Sequence, residues 1–550
     1  MRRMVPALIC LSLLYAFLAL VALPQKAFFS SDEGLKFIQV QNILRKGWSD
    51  LTLQYPGRDV DPDLNYVPIN NPPPLIREGH VYAVYPVAFP TLTAPLFSMF
   101  GYAGLYLIPI ASGLLTIAVT GRLARIANLE PLAPAILLGL GTPLLFYSLL
   151  FWDHTLGALL STLGLLLVAE HLRAPRTWLL FAGGLLVGSS VWIRTELYAM
   201  AVVVLVVYFV VGARRLRGTL FLCLGTLLAV LPLWLFQYFT YGSFLGPHLG
   251  HLASVSSSLP ISSNRLAIFY YLLLESNSDP RFAFLFLVSF AAAATVVASR
   301  RFRRVAWLVV VAFGALVLCC LPILKQAWSG LPMGGLISTT PFLVLTLGTL
   351  FIGGRSSVVK FLGLVCGGYI AVVCLTTPVD PGLQWGPRFL LPALPLATIL
   401  ALLGLQALTE DIRRPNRRAL VGVCLLSTVA TSVLLQGGSI RILHLIKNRD
   451  RQLIESTARV PSPWVISDEY GYAQYVAPLF YEKVFFYVRT QRDYQQLTKT
   501  LFDRGVTTYA VATYPTPHRK EIDPLDVADG YAVRKVGEQV FEITASEETG

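Results

Sequence analysis

Charged side chains at the ends of long apolar runs are costly unless they are solvated, paired or used, and this chain places several there. Asp32 and Glu33 stand side by side directly after the first apolar run, in FFSSDEGLKFIQVQNILRKGW. Such acids can cap a helix, for which Ser30, Ser31 and Asp32 are all suitable. They can also act as a carboxylate base facing a cleft, with Lys36 one turn on supplying positive charge. Tyr85, in the pair Tyr85-Pro86, opens a stretch to Phe100 whose prolines at 86, 90 and 95 forbid a long regular helix but permit short ones. That stretch reads as a lid on lipid or as substrate lining. The tight connection FWDHT carries Asp153 and His154. Asp153 is a turn or cap residue, or a second acid on the same cleft; one Asp with one His is weak ground for a metal centre. Arg194 and Glu196, in VWIRTELY, read as an interfacial ion pair or as part of a site. Arg388, in DPGLQWGPRFLLPALP, sits where a helix starts. A guanidinium beside a helix N-terminus suits phosphate, because its fork of donors and the positive end of the dipole act together. Snorkelling to lipid headgroups is the competing use.

The elements that must position these residues follow from composition. Of 550 residues, 55% are hydrophobic and 14% charged, where soluble domains carry about 25% charged, and the mean hydropathy is +0.62. This excludes a soluble globular enzyme, a disordered chain and a collagen-like fibre, and leaves a polytopic membrane protein. The net charge of +13 lies in short clusters between apolar runs rather than along one exposed face, which argues against nucleic acid. Cys10, Cys223, Cys319, Cys320, Cys366, Cys374 and Cys424 all fall inside apolar segments and read as small buried residues.

Spanning a bilayer takes about 20 mostly apolar residues. Thirteen runs approach that length, at 5–24, 102–121, 132–151, 156–171, 177–193, 197–212, 218–239, 282–299, 305–324, 336–353, 358–376, 389–408 and 419–437. The expected architecture is an all-α polytopic protein of about 13 spans followed by a small α/β domain. The first run follows Arg2 and Arg3, so it starts on the cytoplasmic side, and alternation then assigns every loop. The loops so called cytoplasmic hold nineteen Lys/Arg, those two included, against four acids, so that this side carries about +15 and the rest about −2. A cleaved signal peptide is the competing reading of the first run, and it too leaves residue 29 onward outside. The expected location is the inner (plasma) membrane, with the N-terminus cytoplasmic and the C-terminal domain extracytoplasmic.

Three outer segments are long: 25–101, 240–281 and about 440 to 550. Long loops are where function concentrates. In the last, WVISDE, KVFFYV and TTYAVATY are strand-like, TQRDYQQLTKTLFDRG is helix-like, and YAVRKVGEQVFEITA suggests a hairpin. The division drawn is 1–440 for the membrane part, with interfacial helices in its first outer loop, and 441–550 for the extracytoplasmic domain. Asp468 and Glu469 read as a strand end and turn, and the C-terminal domain is expected to influence acceptor choice.

Taken in order, the acidic pair Asp32-Glu33 after the first span, the Tyr85-Pro86 element, Asp153 in the second outer loop and WGPRFLLPALP around Arg388 resemble the GT-C fold glycosyltransferases that use polyprenyl-phosphate sugars. These are relatives of the protein O-mannosyltransferases and the lipid A aminoarabinose transferases, and the resemblance covers about four-fifths of the chain. It implies Asp32 as general base for an acceptor hydroxyl, Glu33 and Asp153 shaping the acceptor side, and Arg388 with Lys36 on the donor phosphate. Tyr85, His154 and Arg194 would line the substrate. The O-mannosyltransferases usually carry His-Pro where this chain has Tyr85-Pro86, and no β-trefoil insert is recognisable here. Both departures weigh against a protein acceptor, and the acceptor classes that the resemblance leaves are glycan, lipid or protein.

The chemistry agrees with the residue types. Displacing polyprenyl phosphate from an anomeric carbon needs a base on the acceptor and a cation on the leaving phosphate. One displacement inverts the anomeric centre, and a monophosphate leaving group paired with arginine reduces the need for metal, so neither a cofactor nor an obligatory metal is expected. Three rivals stand beside this reading. A transporter or flippase of a lipid-linked saccharide tends to put its ionisable residues at the midplane in repeated halves, a diphosphate-lipid-dependent ligase or polymerase favours arginine-rich outer loops, and a scaffold would use the tail only for binding.

Overall fold

In the computed structural model the described residues are 4–212, 215–251, 265–276, 279–332, 334–351, 356–377, 384–412, 414–513 and 531–545. Arg2, Arg3, Arg214, Arg355, Arg413 and the first four residues of the segment 380–395 lie outside them. Two compact units form: one from Met1–Val21 and Tyr106–Leu443, the other from Ala22–Leu105 and His444–Gly550.

The first unit is helical. Among the described residues of the whole chain, nine helices are long and apolar enough to cross a membrane, from Met4–Ala22 to Pro415–Arg459, and four shorter apolar helices accompany them. The protein is a multi-pass membrane protein. Nine of the thirteen expected runs correspond to these long helices, and the other four are divided or short. The run 132–151 divides into Leu132–Gly141 and Leu144–Ser148, with Pro143 at the break, because the residue before a proline is driven out of helical geometry. The run 336–353 divides at Thr340-Pro341 into Leu336–Thr339 and a 3₁₀ helix, Pro341–Phe351. Thr177–Ser190 and Leu197–Val211 are helices of 14 and 15 residues separated by the polar VWIRTE connection. The last expected span, 419–437, lies inside a 45-residue helix, Pro415–Arg459.

Glycine sets the closest helix contacts in this unit. A Cβ on Gly225 would lie 2.0 Å from the Phe181 carbonyl oxygen, and one on Gly184 would lie 2.1 Å from that of Leu222. The helices Thr177–Ser190 and Arg215–Tyr241 therefore pack backbone to backbone, the usual membrane solution where lipid tails supply no hydrophobic drive between helices.

The second unit joins the first long loop to the C-terminal segment. Its centre is a five-stranded sheet in the order β4-β3-β5-β7-β6, formed by β3 (Trp464–Ser467), β4 (Val484–Tyr487), β5 (Thr508–Ala512), β6 (Tyr531–Lys535) and β7 (Val540–Ala545). β3 runs parallel to β4 and β5, with Ile466 opposite Phe486 and Val511, while β7 is antiparallel to β5 and β6. The helix-like stretch forms Gln491–Asp503, started by a capping box between Thr490 and Asp493. It buries Tyr494, Leu497 and Leu501 at helical spacing.

The loop contributes the helices Ser31–Lys46 and Ala88–Phe100 and a hairpin of β1 (Leu75–Arg77) and β2 (His80–Tyr82). Glu78 and Gly79 both have positive φ at the hairpin tip, the backbone that twists in the same sense as the strands. Eleven residues of Ser31–Lys46 are buried, Glu33 and Lys36 among them. The reason is packing within the unit. The short helix Tyr472–Tyr475 passes so near that a Cβ on Gly34 would lie 1.7 Å from the Gln474 carbonyl oxygen.

Candidate active site

In the second unit the apolar loop end FFSS leads straight into Ser31–Lys46, so Asp32 and Glu33 occupy its first turn. Ser30 holds the N-cap position, and its own side chain makes no cap bond. The buried Glu33 carboxylate accepts the Phe29 backbone N–H at 2.6 Å. Asp32 accepts a hydrogen bond from the Tyr85 hydroxyl. Lys36, one turn along, places its ammonium 4.0 Å from the centre of the Tyr85 ring, a distance at which a cation is held by the ring face.

Phenol, carboxylate and ammonium are thus one group, assembled from two segments of the same loop. Gln39 Nε2, one turn beyond Lys36, donates to the Tyr85 carbonyl at 3.4 Å. The group is backed by amides. Asn71 donates to the Ser31 hydroxyl at 2.9 Å, and Gln474 donates to the Asn71 carbonyl at 2.6 Å and to the Ser31 carbonyl at 3.2 Å. Lys447, wholly buried, contributes a further cation that interacts with Glu33.

In the first unit the remaining candidates converge. Arg194 is sequestered between two acids, with Nη1 3.1 Å from Asp153 Oδ1 and Nε 2.8 Å from Glu196 Oε1. Burial alone would favour loss of its proton. The two carboxylates outweigh that and hold the guanidinium even more firmly protonated than usual. Asp153 stands at the N-cap of His154–Arg173 without capping it, because its carboxylate is turned to Arg194.

Arg388 begins a 3₁₀ turn, Arg388–Ala393, that runs into the helix Leu394–Glu410. Its guanidinium carbon lies 5.2 Å from the ring centre of Trp152 and 5.3 Å from that of Phe389, while Arg194 lies 5.9 Å from the Phe389 ring. Trp152 in turn stacks on Tyr147 at 5.7 Å, and His154 meets the Trp152 ring edge-on at 5.0 Å. His154 is therefore an aromatic packing partner. Among the described residues no three His, Cys, Asp or Glu side chains gather as a metal site.

The turn that aims Arg388 is held from several directions. Gly386 has φ +63, and a Cβ there would lie 2.5 Å from Pro143 Cγ, so glycine is needed for both conformation and space. Tyr147 donates to the Gly386 carbonyl at 3.2 Å, Tyr369 to that of Phe389 at 2.7 Å, and Trp385 to Gln436 Oε1 at 2.9 Å. Gln384 Oε1 accepts the Arg388 backbone N–H at 3.1 Å.

The sequence candidates thus fall into two clusters, one per unit. Asp32, Glu33, Lys36 and Tyr85 form the first, and Asp153, His154, Arg194 and Arg388 the second. Sequence reasoning passed over Lys447, Trp152, Phe389 and the Asn71–Gln474 amides. The cis bond before Pro72, in the proline-rich NNPPP segment, adjoins Asn71, and the positive φ of Gly386 lies three residues before Phe389.

No family model matches the chain, and no curated protein matches it. Solved structures do. The crystal structure of ArnT from Cupriavidus metallidurans in the apo state is similar with a TM-score of 0.50 and 14% identity, over 98% of this chain and 97% of that one. The crystal structure of the same protein bound to undecaprenyl phosphate is similar with a TM-score of 0.51 and 13% identity, over 99% and 98%. At such identity it is the fold that is shared, from end to end: this chain is a multi-pass membrane protein with the GT-C fold of ArnT.

Proposed function

We propose that the protein is a membrane glycosyltransferase that moves a sugar from a polyprenyl-phosphate donor to a hydroxyl acceptor on the extracytoplasmic side. The observation that carries this reading is the full-length likeness to ArnT, a neighbour solved with undecaprenyl phosphate bound. The two residue clusters supply the chemistry. The acceptor oxygen attacks the anomeric carbon and gives its proton to the Asp32 carboxylate. The bond from that carbon to the phosphate oxygen breaks, its electron pair leaves with the polyprenyl phosphate, and the anomeric centre inverts. Arg388, its guanidinium carbon held near the Trp152 and Phe389 rings, stabilises charge that grows on the phosphate as the bond breaks.

Three roles differ from those the resemblance implies. Lys36 lies under the Tyr85 ring and is assigned to holding the Tyr85–Asp32 pair rather than to the phosphate. Asp153 is buried against Arg194 and is assigned, with Glu196, to fixing that arginine beside Phe389. Glu33, bonded to the Phe29 N–H, anchors the start of its helix. The arginines of the short loops support an N-terminus in the cytoplasm.

The test is donor consumption by purified protein offered a panel of polyprenyl-phosphate sugars with glycan, lipid and protein acceptors. Release of free polyprenyl phosphate with sugar on an acceptor is expected. Movement of intact donor across a vesicle bilayer with no release would instead support transport.

A further inference from the structure

The sequence RRFRR, residues 300–304, plays no part in the transfer reaction, and its arrangement is unusual for a simple connector. Arg300–Arg303 form a short helix between the apolar helices Pro280–Ala298 and Ala306–Trp328. Arg303 turns inward: it is buried, and its Nε lies 3.2 Å from Asp411 Oδ2. This ion pair fastens RRFRR to a second basic turn, the one between the helices Leu394–Glu410 and Pro415–Arg459. That turn is also tied down, because the Arg418 guanidinium donates to the Ile412 carbonyl from Nε at 3.2 Å and from Nη2 at 3.0 Å.

With Arg303 neutralised and Arg418 turned to a carbonyl, the side chains of Arg300, Arg301, Arg304, Arg414 and Arg417 are exposed. Asp411 is engaged by Arg303, which leaves Glu410 as the other acid among the described residues of the two segments. Like charges gathered this closely repel one another, and an anion relieves the repulsion. Apolar aromatic surface lies beside them: Phe302 is 38% exposed and Trp307, one residue into the next helix, is 63% exposed. Trp is enriched where one side of a ring meets headgroups and the other meets acyl chains. A soluble phosphate ester has no use for such rings, whereas a phospholipid satisfies both surfaces.

We propose that Arg300, Arg301 and Arg304, braced by the Arg303–Asp411 pair against Arg414 and Arg417, bind the phosphate headgroup of an anionic phospholipid, with Phe302 and Trp307 against its glycerol and upper acyl chains. An arginine in contact with the lipid phosphate strengthens binding roughly fivefold before screening, while one farther away than the screening length adds little to a single bound lipid, so loss of three at the site is a large effect.

Native mass spectrometry of the full-length protein tests this, counting retained dioleoylphosphatidylglycerol and dioleoylphosphatidylcholine. The wild type should hold the anionic lipid about tenfold more tightly than the zwitterionic one. Arg300→Gln/Arg301→Gln/Arg304→Gln should lose about tenfold in affinity for phosphatidylglycerol and little for phosphatidylcholine. Arg125→Gln/Arg173→Gln/Arg176→Gln removes equal charge from other exposed arginines and should change neither. Equal retention of the two lipids by the wild type overturns the proposal. So does an equal loss in both triple variants, which would mean a diffuse field rather than a site, and so does displacement of the lipid by millimolar glycerol phosphate. Should the first variant not unfold cooperatively, Arg301→Gln and Arg304→Gln taken singly must each weaken phosphatidylglycerol selectively, or the proposal fails.

Discussion

Asp32 and Tyr85 lie 53 residues apart in the chain and meet through one hydrogen bond from phenol to carboxylate. A bond to a charged group of this kind is worth about 1.5 to 3 kcal/mol, and here it fixes which way the proposed base points. Tyr85→Phe should therefore lower kcat about tenfold or more with the donor KM little changed, as steady-state kinetics would show; an unchanged kcat would separate Tyr85 from the base. Arg388 yields a different expectation. Its guanidinium is flat and lies against Trp152 and Phe389, a geometry an ammonium cannot copy. Arg388→Lys keeps the charge but should raise the Kd for undecaprenyl phosphate about tenfold, measured by calorimetry; full affinity would mean that charge alone suffices. Both residues were legible in the sequence because a charge at the end of an apolar run is conspicuous. Trp152 was not, since an aromatic residue among aromatic residues carries no such mark. Lys447 was missed for another reason: it follows the last apolar run, where a lysine looks ordinary, and only the fold shows it buried near Glu33.

At the scale of elements, hydropathy located the helices but not their breaks. The run 336–353 reads as one continuous apolar stretch, yet Thr340-Pro341 splits it into α-helical and 3₁₀ pieces, because proline withholds a donor that hydropathy does not count. In the C-terminal segment the alternating and helical periods were strong enough to place all five strands of the sheet and the helix Gln491–Asp503. Strand order was not legible, since it depends on which strands pair at long range. Nor was the packing of Ser31–Lys46, which meets chain more than 400 residues away, as in the bond from Gln474 to the Ser31 carbonyl. Gly34 makes that packing testable. The methyl of Gly34→Ala would collide with a backbone oxygen, which cannot swing aside as a side chain can. It should destabilise the second unit by about 2 to 3 kcal/mol, visible as a lower urea midpoint for the tyrosine signal. An unchanged midpoint would mean that the two helices are not in contact.

For the whole molecule, the first long loop and the C-terminal residues from His444 fold as one compact unit. A division at residue 440 is natural from composition, because apolar character ends there, and composition holds no trace of the partner that a loop will choose. The membrane class, the strand-bearing C-terminal part and the GT-C likeness could be read from sequence, and they coincide with the end-to-end likeness to ArnT. The proposal divides the labour between Asp32, taking the acceptor proton, and Arg388, stabilising the leaving phosphate. Single-turnover consumption of a polyprenyl-phosphate sugar, measured together with undecaprenyl phosphate affinity, tests it in wild type, Asp32→Asn and Arg388→Ala. Asp32→Asn is expected to bind the lipid phosphate normally and turn over about 10² to 10⁴ times more slowly, while Arg388→Ala loses both binding and turnover. Near-normal turnover by Asp32→Asn, or undiminished lipid-phosphate affinity in Arg388→Ala, would contradict it.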